Sequence, residues 1–176
     1  ASSSPSCSLP ERVGRVPPAV AARLEARFRV LPVHVPARGY RLVQPPLVDH
    51  LESLLTGTGR DLDLLPFKTV DPLSGRMLGI RADTTPQVAR IDAHVLNEAG
   101  ITRLCYAGSV VRTAVTGPGD TREALQLGAE LYGHADISAD IEVMGVLLSV
   151  LDQAGDGTMH PGLGPGGGSL ARARPA

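Results

Sequence analysis

A chain of 176 residues, 43% of them hydrophobic, is long enough to bury one ordinary core and apolar enough to fold around it. Its 17 Lys+Arg against 18 Asp+Glu leave a net charge of −1, which excludes the field of one sign that draws in a nucleic-acid backbone. With 3% aromatics, no Trp, 20 Gly and 15 Pro, the core is aliphatic and the chain turns often.

Residues 1–16 are rich in Ser, Pro and Arg and are expected to be a disordered leader; residues 1–9, polar and without a basic or an apolar region, are not expected to be a secretory signal. Val20, Leu24 and Phe28 recur every four residues after Pro17 and Pro18, which predicts an amphipathic helix ending before Pro32. Residues 31–38 fit an extended linker, and residues 40–44 a strand stopped by Pro45 and Pro46. Leu47, Val48, Leu51, Leu54 and Leu55 then have helical spacing up to Gly57 and Gly59.

Residues 66–71 and 76–81 read as two strands of a hairpin around Pro72, Leu73, Ser74 and Gly75. Asp83 or Thr84 caps a helix beginning near Thr85 and Pro86, with Val88, Ile91, Val95 and Leu96 inward and Gly100 as the stop. Residues 101–112 and 123–133 are strand-like and flank a loop containing Gly117, Pro118 and Gly119. A last helix over residues 138–154 turns Ile141, Met144, Leu147, Leu148 and Leu151 inward, and residues 156–176 form a Gly/Pro-rich tail expected to be disordered.

This order predicts one α+β domain over residues 17–155, a mainly antiparallel sheet flanked by helices, with no internal repeat. The longest apolar run, residues 143–151, is interrupted by Gly145 and Ser149, so no membrane contact is expected. Cys7 and Cys105 form neither a disulfide framework nor a metal-ligand spacing, which suits a reducing, cytoplasmic compartment. His50, His94 and His134 are isolated and read as surface or turn residues, leaving no metal site.

Several segments carry a resemblance in the right order and spacing: GYRLVQPPLVDHLESLLTGTGRDLD, FKTVD, RMLGIRADTTPQVARIDAH, TRLCYAGSVVRT and EALQLGAELYGH. They resemble a class II aminoacyl-tRNA synthetase core in its histidyl form, and more narrowly the regulatory-subunit family of ATP phosphoribosyltransferase. The resemblance covers residues 9–155, more loosely before Gly39, and implies a truncated class II core, the N-terminal half of the family's domain. It implies self-association through the segment around Pro45 and Leu55, residues 45–55, which also fits a strand and helix packed inside one core.

By the same resemblance, Arg112 stands where synthetases hold the substrate carboxylate and the nucleotide α-phosphate, work suited to a planar guanidinium. At a strand end it also fits a solvated or ion-paired side chain. Ala114 replaces the acid that would bind the adenine amino group, and Asp120 puts a carboxylate where an arginine is expected beside triphosphate. Adenylation is therefore not expected.

The amino-acid pocket implied by the resemblance is better kept: Asp83 and Thr85 for the α-amino group, Gln126 and Glu130 on one sheet face, Arg112 for the carboxylate. These residues would suit histidine. Asp83 also fits a simple helix cap, and Gln126 with Glu130 a pair inside the sheet.

The family resemblance implies a non-catalytic regulatory subunit acting in the first step of L-histidine biosynthesis. Its partner would be a short-form ATP phosphoribosyltransferase catalytic subunit, and it would use no cofactor of its own. The alternative from another class is a truncated or degenerate histidyl-tRNA synthetase. Residues 30–36 and the tail after Gly155 depart from the family pattern, as a reading-frame change would make them.

Overall fold

A computed structural model describes residues 9–55, 66–114, 121–153, 160–163 and 169–172. Among these, ten adjacent residues on each of two strands form the centre of the molecule. Strand β5 (Thr102–Val111) pairs antiparallel with β6 (Glu123–Tyr132) along its whole length, from Thr102 opposite Tyr132 to Val111 opposite Glu123. The short β1 (Arg41–Leu42) lies parallel to β5 on its other side, giving the order β1-β5-β6. The sheets are otherwise antiparallel, so the expected α+β architecture with helices on a mainly antiparallel sheet is what forms.

Strand alternation places successive β5 residues on opposite faces. On one face Cys105 packs with Val35, Tyr40, Val146 and Val150, with Ala107 and Ala129 alongside. This face is covered by α1 (Pro18–His34) and by α4 (Ile137–Gln153). On the other face Leu104 and Tyr106 pack with Val88 of α3 (Thr85–Arg90), and Val43, Leu96 and Tyr132 close the cluster.

A second sheet has the order β2-β4-β3, from Val48–His50, Met77–Ile80 and Phe67–Val70. The helix α2 (Leu51–Leu55) lies over β4, where Gly79 leaves room for Leu54 and Leu51. The β3–β4 turn is held by Asp71, whose carboxylate accepts from the Leu73 amide at 3.0 Å and from the Ser74 hydroxyl. Gly75, at φ +71, makes the turn that residues with a Cβ rarely adopt. The hairpin is the one read from the sequence.

Packing overrides the sequence pattern at several points. The first helix does not stop before Pro32 but runs to His34, where Pro36 starts a short 3-10 turn closed by Gly39 at φ +84. Pro32 deprives the last turn of one backbone donor without ending it. Residues 48–50, expected to be helical, pair instead with Leu78, Gly79 and Ile80, because Pro45 and Pro46 deliver the chain extended onto the edge of β4.

After α3 the chain continues as a π-helical turn, Ile91–Leu96, ending at Asn97 in the left-handed region; this rotates Val95 out to 74% exposure instead of inward. In α4 the buried residues are Ala139, Val146 and Val150, while Ile141 and Leu148 stand 59% and 50% exposed. That helix is apolar on most of its circumference, so spacing alone did not select the face.

Within the two ends, the described residues make the following contacts. Arg12 of the leader accepts from the Arg122 amide at 2.9 Å and from the Thr121 hydroxyl at 3.0 Å. In the tail, β7 (His160–Leu163) pairs antiparallel with β8 (Ser169–Arg172), an arrangement that Gly and Pro composition did not suggest. Residues 1–8, Gly57, Gly59, Gly117, Pro118, Gly119 and Asp120 lie outside the described residues.

Candidate functional site

The five residues singled out in the sequence converge at the N-terminal end of α3. Register makes this possible: Gln126 lies opposite Gly108 and Glu130 opposite Leu104, so both glutamine and glutamate share the β6 face that α3 covers. The Gln126 amide bridges the loop ahead of α3. Its Nε2 donates to Asp83 Oδ1 at 2.8 Å, and its Oε1 accepts from the Thr84 amide at 2.9 Å. The same Asp83 oxygen accepts from the Thr85 amide at 3.1 Å, a turn bond just ahead of the N-cap Thr84, whose own side chain makes no capping bond.

Arg112 leaves the end of β5 toward this loop, and its Nε donates to the Ala82 carbonyl at 3.2 Å. Glu130 and Gln126 are not paired with each other. Glu130 instead accepts from the Tyr106 hydroxyl at 3.4 Å, and that hydroxyl also meets Thr85 Oγ1 at 2.9 Å.

Tyr106 was missed in the sequence, although a mid-strand glycine signals a close approach. A side-chain carbon at Gly128 would collide with Cζ and Oη of Tyr106, so glycine here is what lets the ring cross β6. Gly108 has the same relation to Arg81, whose guanidinium lies over it. Arg81 and Gln87, 6% and 2% exposed, were also missed.

Charge in the site is lopsided. Burial pushes the Glu130 carboxyl above its ordinary value; hydrogen bonds from the Thr85 and Tyr106 hydroxyls oppose the shift, and the charge of Asp83 adds to it. Burial likewise raises the Tyr106 phenol. Two carboxylates, two hydroxyls and an amide thus face one region from the loop and first turn of α3 and from β5 and β6, with Arg112 at its edge. Such a set can accept hydrogen bonds from an ammonium group and from a ring N–H, and can donate to a carboxylate. Among the described residues no cluster of His, Cys, Asp and Glu has the arrangement to hold a metal ion. Of the histidines, His134 and His94 are exposed, His134 with its Nε2 2.8 Å from Ser138 Oγ, whereas the Nδ1 of His50 is buried.

The arrangement of sheet, hairpin and helices is that of histidyl-tRNA-synthetase-like class II proteins. A Bacillus halodurans structure described as an ATP phosphoribosyltransferase regulatory subunit/histidyl-tRNA synthetase superposes with a TM-score of 0.73 at 25% identity, over 92% of this chain and 41% of that one. The apo Staphylococcus aureus histidyl-tRNA synthetase, 18% identical, shares the fold with a TM-score of 0.68 over 88% of this chain and 41% of its own. The family model for histidyl-tRNA synthetase matches residues 13–165, and the chain belongs to that family. The match passes Gly155 into the tail that was expected to fall outside it.

The ATP phosphoribosyltransferase regulatory subunit of Ralstonia nicotianae is 54% identical over 151 residues, 86% of this chain and 39% of the relative. That of Paraburkholderia phymatum is 55% identical over 152 residues, 86% and 40%. The chain spans about two fifths of the length of the curated relatives it matches. No described helix is long and apolar enough to cross a membrane.

Proposed function

We propose that this chain is the N-terminal part of a non-catalytic regulatory subunit of ATP phosphoribosyltransferase, located in the cytoplasm, which serves the first step of L-histidine biosynthesis. It binds a short-form catalytic subunit, associates with itself through residues 45–55, and holds histidine at Asp83, Thr85, Arg112, Gln126 and Glu130. The observation that carries the reading is the meeting of those five side chains around one loop, in a chain whose relatives at 54% identity are named regulatory subunits.

The chemistry asked of the site is recognition alone. Accepting groups on the loop ahead of α3, on α3 and on β6 meet the ammonium and imidazole, and a guanidinium meets the carboxylate. Ala114 offers nothing to an adenine amino group, which favours binding over adenylation. Coupling histidine level to a partner's rate requires only that the ligand favour one state of the complex.

The test mixes the chain with a short-form catalytic subunit. Co-elution, a change in that enzyme's rate, and histidine inhibition weakened by Glu130→Ala or Arg112→Ala with co-elution kept are the expected results. Absence of any complex sinks the regulatory reading, and inhibition unchanged in both variants moves the effector site elsewhere. The second reading, a truncated histidyl-tRNA synthetase, is favoured by the family match and the synthetase neighbours. It requires histidine-dependent pyrophosphate exchange above a blank without enzyme, and none is expected.

A further inference from the structure

Arg81 is a buried cation with no carboxylate beside it among the described residues. Its Nε donates to the Ser109 carbonyl of β5 at 2.8 Å, and its Nη1 to the carbonyls of Pro45 at 2.7 Å and Pro46 at 3.4 Å. Burial depresses its pKa, and no ion pair among the described residues offsets that burial. A guanidinium desolvated in this way is destabilising unless neighbouring dipoles hold it. Here the dipoles are three carbonyls from two separate stretches of chain, and Gly108 vacates the space above β5 that the fork occupies.

The backbone of the same residue repeats the connection. The Arg81 amide donates to the Leu47 carbonyl at 3.0 Å, and its own carbonyl accepts from the Val111 amide at 2.9 Å. Gln87 adds a parallel link from α3, donating to the Pro46 carbonyl at 3.0 Å. Its neighbour Arg90 pairs with Asp49 of β2 at 3.0 Å. Both ends of the loop that carries Asp83 and Thr85 are therefore fastened to residues 45–49.

A ligand that bonds to Asp83, Thr85 or Glu130 competes with the Gln126–Asp83 and Tyr106–Thr85 bonds that set the loop's present position. Any shift of that loop pulls on Arg81, two residues before Asp83, and so on the prolines. We infer that Arg81 is a positioning residue that makes the conformation of the 82–85 loop and that of residues 45–55 interdependent, linking the amino-acid site to the segment proposed for self-association. The linkage rests on the reading above for the identity of its ligand, but not for its mechanics.

The test is hydrogen exchange on the full chain, following peptides over residues 47–55 relative to those over residues 102–111, with and without L-histidine. In the parent protein, histidine slows exchange over residues 47–55 by about fivefold, the lower end of common coupling strengths. Arg81→Lys keeps the charge but not the planar fork. It should still bind histidine by calorimetry while exchange over residues 47–55 no longer responds. Should Arg81→Lys not fold, Gly108→Ala displaces the guanidinium without removing it and is read in the same way.

A ligand response retained in the folded variant overturns the inference. So does histidine binding to the parent without any change over residues 47–55. If the parent binds no histidine, the ligand reading fails, and the linkage is judged with Asp83→Ala. That substitution should alter exchange over residues 47–55 in the parent and not in the Arg81→Lys background. An effect in neither, or the same effect in both, overturns the linkage itself.

Discussion

The two faces of the β5–β6 ribbon each confront a glutamate, and the two acids are shifted in opposite directions. On the face toward α4, Glu142 receives a two-pronged guanidinium from Arg103, at 2.6 and 2.8 Å, and the Tyr40 hydroxyl at 3.1 Å. Its carboxyl is held below the ordinary range, first by those bonds from Arg103. On the face toward α3, Glu130 meets hydroxyls and a second acid, and burial pushes it up. One carboxylate has its cation built in. The other has none among the described residues, and it is on this difference that the proposed ligand-binding role of Glu130 rests.

The sharpest way to break this comparison is to fill the space that Gly128 leaves for Tyr106. Gly128→Val forces the ring off β6 and should lower stability by about 3 kcal/mol, the upper end for an overpacked core. Urea denaturation checks the stability, and calorimetry with histidine should show binding abolished. On the opposite face, Val146→Ala removes buried aliphatic carbon and should cost about 2 kcal/mol in the same denaturation experiment. Histidine binding should survive there, because nothing on the α3 side is touched.

Smaller effects separate the two acids by sign. Glu130 keeps its proton longer folded than unfolded, so the native state binds more protons from the ordinary value of 4.5 up to its raised value. Its contribution to stability therefore falls as pH rises through that window. Glu142 gives the reverse: its contribution is complete above 4.5 and is lost as pH falls through the window below it. Urea midpoints from about pH 3 to 8 should lose the first slope in Glu130→Gln and the second in Glu142→Gln. A common slope in both variants would abolish the distinction between the faces. Least of all, Arg29→Ala should change stability by no more than about 0.5 kcal/mol, because its pair with Glu25 is 77% and 65% exposed.

The ribbon was the legible part of this molecule, and the reason is physical. Two ten-residue apolar strands and, in the other sheet, a turn built on Asp71 and Gly75 are specified by near neighbours, so the sequence carries them directly. Of the five candidate side chains, Gln126 and Glu130 could be assigned to one face for the same cause, a period of two, whereas Asp83, Thr85 and Arg112 came from the family resemblance. Residues 48–50 were misread because their strand character comes from β4, which arrives later in the chain. The face of α4 was misread because Ile141 and Leu148 are as apolar as Val146 and Val150. Arg81 was passed over since its partners are carbonyls of Pro45, Pro46 and Ser109, and backbone acceptors leave no mark in a sequence.

The parallel pairing of β1 with β5 has a consequence for the order in which the chain assembles. β1 is synthesised well before its partner: Arg41 must wait for Leu104, whereas β5 and β6 are separated by a short connection. Closing a long loop costs more entropy than closing a short one, so the β5–β6 hairpin forms as a local unit and β1 docks onto it afterwards. The carbonyls of Pro45 and Pro46 follow β1 directly and reach Arg81 only once that docking has occurred. During translation residues 35–55 therefore leave the ribosome with their apolar side chains uncovered. They stay so until the ribbon emerges, which makes this stretch the natural ground for contact with chaperones.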